Sequence, residues 1–178
     1  MKTNVKTLAK ILALSAGCSL VAISHADNTI TFNGTVSDTT CTATIDNGVS
    51  SIEMGTVSVA DLKANTYSAA KNFSFTLTGC PTDDGALTKA RITFGGEADN
   101  FNSDYFKNQA SESPATNVAV AIFDNAGALQ KNNAEGSDVD ISSGAATIPF
   151  TVKMAKSGSS DPTKGPVKTT VTYNVTYY

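Results

Sequence analysis

The chain has 178 residues, 40% of them hydrophobic, with 13 Lys and Arg against 16 Asp and Glu. That length suits one domain with one core, and a mildly acidic balance removes the electrostatic basis for binding nucleic acid or an anionic membrane. With one His, at position 25, and three Cys, the sequence holds neither a zinc-ligand spacing nor a Cys/His nucleophile pattern.

The N-terminal stretch "MKTNVKTLAK" places Lys2, Lys6 and Lys10 before the apolar "ILALSAGCSLVAIS", and Ser24 and Ala26 flank a small-residue cleavage point. This is the pattern of a secretory signal peptide over residues 1–26, removed on export. An alternative site before Cys18 would leave a lipid-anchored cysteine, but Ser15 stands where such sites carry Leu. After loss of three signal lysines, 13 − 3 = 10 basic residues face 16 acidic ones, a formal charge of −6 over the remaining 178 − 26 = 152 residues. Export leaves Cys41 and Cys80, and an oxidising compartment makes their pairing the expected state.

From residue 27 onward, short alternating runs are separated by turn residues, which is the pattern of an all-β sandwich. "TITFNGTV" alternates Ile30, Phe32, Gly34 and Val36, starting almost at the cleavage point. "VSVADLKANTYSAA" is ambiguous, with Val59, Leu62 and Tyr67 able to plug an edge of the core. "NFSFTLTGC" buries Phe73, Phe75 and Leu77 in this reading, and "ARITF" buries Ala90, Ile92 and Phe94. The polar stretch from Glu97 to Thr116, with Phe101, Tyr105 and Phe106, reads as a long connection with aromatics tucked beneath it. "NVAVAIFD" supplies Val118, Val120 and Ile122, followed by a hairpin turn at Asp124; "TIPFTVKM" supplies Ile148, Phe150, Val152 and Met154. The ending "GPVKTTVTYNVTYY" alternates Val167, Thr169, Val171, Tyr173, Val175 and Tyr177. The sequons at Asn33, Asn72 and Asn174 fall inside strands and read as chance matches.

No motif organises the carboxylates or hydroxyls into catalytic machinery, so the expectation is no enzyme, no cofactor and no metal. The two terminal runs are both strand-like and neither is blunted. If the N-terminal run of one copy lay beside the C-terminal run of another, both edges would gain a partner, and a heterologous contact of that kind grows into a fibre.

These pieces in order resemble the pilus (fimbrial) subunits assembled by a periplasmic chaperone and an outer-membrane usher, similar to type 1 and pyelonephritis-associated pilins. "ITFNGTVSDTTC" is similar to the family's N-terminal extension and first cysteine, "FTLTGC" to its second, "ATNVAVAIFDNAG" to its central strand and hairpin, and "TIPFTVKM" to the strand that follows. Gly165 is the fourteenth residue counted back from the end and Tyr177 is penultimate, as in the family's terminal motif. The resemblance implies an incomplete immunoglobulin-like β-sandwich lacking its seventh strand and completed by a donor strand, with residues 27–38 as the donor extension and residues 39–178 as the pilin domain. It implies that Ile30, Phe32, Gly34 and Val36 donate, and that Gly165, Val167, Val171, Tyr173, Val175, Tyr177 and Tyr178 form the acceptor groove and chaperone contact. The implied partners are the chaperone, the usher and neighbouring pilin subunits; the implied location is the cell-surface fimbrium, reached through the periplasm. Cys41 is only the fifteenth residue after Ala26, a spacing closer to tip or adaptor subunits than to rod-forming ones. The competing expectation is a self-contained secreted β-sandwich that binds carbohydrate or protein through its loops.

Overall fold

The computed structural model describes residues 40–46, 48–49 and 51–178. The signal peptide, the donor-extension residues Ile30, Phe32, Gly34 and Val36, and the boundaries drawn at positions 26 and 38 lie outside them. Within the described part the elements are β1 (Thr42–Ile45), α1 (Val59–Asn65), β2 (Lys71–Thr78), β3 (Lys89–Gly96), β4 (Phe106–Lys107), β5 (Val118–Phe123), β6 (Leu129–Gln130), β7 (Val139–Asp140), β8 (Ala145–Lys156) and β9 (Val171–Tyr177). All the pairings are antiparallel and make two sheets, one in the order β1-β2-β8-β5-β4 with β6 beside β5, the other β7-β3-β9.

The alternating side chains read from the sequence meet between these sheets. Phe73, Phe75 and Leu77 of β2, Ile148, Phe150 and Val152 of β8, and Val120 and Ile122 of β5 face Ala90, Ile92 and Phe94 of β3 in one buried cluster. Phe75, Phe94 and Phe150 meet edge-on or tilted, with ring centroids 5.1 to 6.0 Å apart, geometries that aromatic quadrupoles favour. Pro149 is tolerated inside β8 because, among the described residues, that part of the strand pairs only with β2, through Ser74, and its other edge makes no ladder. Cys41 and Cys80 are disulfide-bonded, joining the start of β1 to the end of β2. Asp124 closes the β5–β6 hairpin, accepting from the amides of Ala126 and Ala128.

β5 departs from simple alternation: all six of its residues are buried. Its outward side chains Ala119, Ala121 and Phe123, with Ala155, are covered by Tyr105 and Tyr67. Tyr67 comes from the ambiguous segment, which the structure resolves as α1 followed by a bridge to Ala155. Ser58 caps the helix by accepting from the Asp61 amide, and only Leu62 of its seven residues is buried. The long connection likewise buries Tyr105 and Phe106 but leaves Phe101 66% exposed, so the expectation of three tucked aromatics holds for two.

The Tyr67 and Tyr105 hydroxyls are 2.6 Å apart. Burial first, and then that hydrogen bond, push the Tyr105 phenol up from 10.0 to about 12. A folded-state pKa raised above the unfolded value contributes stability that is present below about pH 10 and lost as pH rises through about 12. Alkaline unfolding of the wild type should therefore steepen above about pH 10, and Tyr105→Phe should flatten that limb of the stability curve. Unfolding midpoints measured across the alkaline range would show it, and identical slopes for the two proteins would contradict it.

Candidate functional site

Between the two sheets one flank is open. Its floor is the apolar core itself, with Phe73, Phe75, Phe94, Val120, Ile122 and Val152 lining a cleft of about 1020 Å³. One rim is the chain from Ile45 through Ile52, Met54 and Val57; the other is Gly165, Val167, Thr169, Val171 and Tyr173. Leu62, Ala115 and Pro162 close one end. Near the other end the Tyr177 hydroxyl donates to the Cys41 carbonyl at 3.3 Å.

The backbone of both rims is what makes the cleft chemically distinctive. Residues 166, 168 and 170 turn their polar backbone groups away from it: the Ala115 amide donates to the Pro166 carbonyl at 3.1 Å and the Gln109 amide to the Lys168 carbonyl at 2.6 Å. The Asn108 and Gln109 side chains complete the attachment, accepting from the Lys168 and Thr170 amides. By strand alternation, Val167 and Thr169 then present their own N–H and C=O groups to the open side. β9 continues this edge, spending its ladder on β3 from Ala90↔Tyr177 to Gly96↔Val171. On the opposite rim, residues 52–57 make no backbone hydrogen bond to a neighbouring strand among the described residues. Buried polar backbone is ordinarily paired, so two edges that are unpaired among the described residues, over an apolar floor, make a space suited to one extended strand. Thr169 adds a buried hydroxyl without a partner among the described residues.

The structure separates the residues proposed for the acceptor edge. Gly165, Val167, Val171 and Tyr173 line the cleft, and Tyr173 stacks edge-on to Phe75 with centroids 4.7 Å apart. Val175 and Tyr177 instead pack, partly buried, against the core beyond the cleft. Tyr178 lies elsewhere: its ring sits 4.8 Å from the Arg91 guanidinium and its hydroxyl donates to Asp138. Arg91 also bonds Asp138 at 2.5 Å and Glu135 at 2.5 Å, and the Arg91 hydrogen bond, followed by that of Tyr178, holds the Asp138 carboxyl below its usual range. This exposed clasp fixes the end of β9 to β3 and to the loop before β7; its individual ion pairs contribute little to stability.

Sequence reasoning missed the rim at Ile52, Met54 and Val57 and the closed end at Leu62, Ala115 and Pro162. The signal was short: Ile52 and Met54 alternate, but Gly55 breaks the run after two members. Nothing local marks Asn108 and Gln109 as anchors of a strand 60 residues later.

The comparisons with known proteins agree with this architecture. A family model described as "Fimbrial protein" matches residues 30–178. The type 1 fimbrial subunit of Klebsiella pneumoniae is 31% identical over 98% of this chain and 99% of its own. The laminin-binding fimbrial subunit ElfA of Escherichia coli O157:H7 is 30% identical over 100% of both chains. Among solved structures, the P pilus rod subunit PapA superposes with a TM-score of 0.66 at 21% identity, over 79% of this chain and 100% of that one, and its immunoglobulin-like sandwich is the fold seen here. The chain belongs to the fimbrial protein family and is a structural subunit of a surface fimbrium.

Proposed function

We propose that this subunit polymerises head to tail by donor-strand exchange, with residues 27–38 of one copy filling the open cleft of another. The supporting observation is the pair of backbone edges, unpaired among the described residues, that flank an apolar floor. Ile30, Phe32 and Val36 supply the alternating side chains such a floor requires, at about 1.5 to 3 kcal/mol for each one fully buried. Before assembly the cleft is an aggregation hazard, and a periplasmic chaperone that lends it a strand, followed by transfer at an outer-membrane usher, answers that hazard. Val167, Val171 and Tyr173 are the contacts such a chaperone would share with the donor; Val175 and Tyr177 continue the same edge beyond the cleft, and Tyr178 ends it in the clasp with Arg91 and Asp138. The self-contained binding module would need both rims paired within one chain, and among the described residues they are not.

Gly34 sits among the larger donor residues and is expected to lie against a constricted part of the cleft. Gly34→Arg should leave a subunit that still accepts a chaperone, because its own cleft is unchanged, yet does not enter another subunit. Fibres on producing cells should fall to background while chaperone-bound subunit persists in the periplasm. Normal fibres from this variant would remove Gly34 from the donor role.

A further inference from the structure

We propose that the surface around Phe101 is a contact between consecutive copies of this chain, seated against the pole that carries Cys41 and Cys80 in the next copy. The inference rests on the donor-strand reading and names a second place where the two copies touch. Phe101 is the most exposed large hydrophobic side chain among the described residues, at 66%. It is nevertheless held in place. The Asp99 carboxylate accepts from the amides of Phe101 and Asn102 at 3.0 and 3.1 Å and from the Ser157 hydroxyl, and the ring lies over Gly158, where a Cβ would stand 2.9 Å from it. A large apolar ring presented in a fixed pose loses little entropy on contact, which is the character of an interface anchor.

Its position follows from the loop it covers. Gly158 lies two residues beyond β8, and the same loop carries Pro162 on the cleft side, tied down by the Asn117 side chain on the Asp161 carbonyl and by Thr163 on Thr116. Phe101 thus marks the Leu62 end of the cleft, while Cys41 marks the opposite end. Each donor extension leaves its own body at Cys41. Were it to leave the acceptor's cleft at the acceptor's Cys41 end, both neighbours of every subunit would crowd onto one pole, and a third copy could not be added. A growing fibre therefore needs the donor to leave at the Phe101 end, which brings the Cys41 pole of the next copy there.

The chain length makes those two bodies meet. From Val36 to Cys41 is 41 − 36 = 5 steps, a reach of about 17 Å even when fully extended. With Val36 seated at the Leu62 end, the Cys41 of the next copy lies within that distance of it. Charge is also matched: Lys156 and Lys164 flank the Phe101 pole with the Lys63–Asp161 ion pair, and the exposed turn after Cys80 carries Asp83 and Asp84.

The test uses fibres of the full chain in which Phe101 is replaced by the photoreactive p-benzoylphenylalanine. On illumination, monomer should convert to covalent dimers and higher multimers, with the crosslink mapped in another copy to residues 81–85 or to residues 142–144, where the Gly144 carbonyl accepts from the Cys80 amide at 3.0 Å. Crosslinks confined to the same chain, or to another face of the neighbour, would overturn the proposal. As a second variant, Phe101→Asp should take up a synthetic peptide of residues 27–38 as the wild type does, within twofold, while its fibres become several-fold shorter; unchanged fibre length would also overturn it. Failure of the wild-type subunit to take up that peptide would instead bring down the donor-strand reading, and this inference with it.

Discussion

Gly165→Ala is expected to disrupt the acceptor rim and to be among the most damaging single-methyl additions in the protein. Gly165 has φ +153°, and a Cβ there would lie 2.4 Å from the Ala115 amide nitrogen, 2.4 Å from the Ser113 carbonyl oxygen and 2.6 Å from the Pro114 carbonyl carbon. These are backbone atoms, so no rotamer change relieves the overlap. The rim must move off residues 113–115, stretching the Ala115 to Pro166 hydrogen bond and those made by the Asn108 side chain. Overpacking of this kind together with strained hydrogen bonds costs about 3 kcal/mol or more. Gly127→Ala provides the scale: its φ is +78° but nothing lies within 4 Å of the added methyl, so only the backbone cost of about 1–2 kcal/mol applies. Thermal unfolding of the two variants in complex with a donor peptide should place Gly165→Ala well below Gly127→Ala, and the reverse order would contradict this picture of the rim.

Removing the disulfide is the second large effect. Cys41 and Cys80 are 39 positions apart, and closing a loop of that size restricts the unfolded chain enough to stabilise the fold by about 4 kcal/mol in the chain-entropy model. The bond also anchors β1, the four-residue edge strand that leads into the first rim of the cleft and is followed in space by Tyr177 on the Cys41 carbonyl. Cys41→Ala with Cys80→Ala should therefore lower the unfolding midpoint by on the order of 10 °C and weaken donor uptake alongside it. A midpoint within a degree or two of the wild type would show that the sheet holds β1 without the bond.

Much of the fold was legible because one face of each strand is buried: Phe73, Phe75 and Leu77, or Ile148, Phe150 and Val152, could alternate only if something covered them, and the opposite sheet does. β5 was legible as a strand but not as one buried on both faces, because its outer partners Tyr67 and Tyr105 come from 51 residues before its start and 13 before it, along chain with no period. The last run announced an unfinished edge through its own alternation. What it could not announce is that Gly165–Thr170 is held by Asn108 and Gln109 rather than by a strand ladder, so that β9 proper begins only at Val171. Nor could periodicity show where the edge leaves the cleft, since Tyr173 and Tyr177 share one parity and only the first lines it. Register and tertiary hydrogen bonds decide both points, and neither leaves a local trace in the sequence.

The measurement that tests the donor-strand account most directly adds a peptide of residues 27–38 in excess to chaperone-bound subunit and follows its thermal unfolding. A ligand that binds only the folded form stabilises it with the logarithm of its concentration, by about 2.7 kcal/mol at a hundred times the dissociation constant. The peptide should displace the chaperone and raise the midpoint progressively, whereas a peptide with Ile30, Phe32 and Val36 all changed to Ser, which keeps the backbone and loses the apolar contacts, should do neither. Equal stabilisation by both would leave the apolar floor without a role, and stabilisation by neither would mean that the cleft between Met54 and Val171 is not an acceptor for this strand.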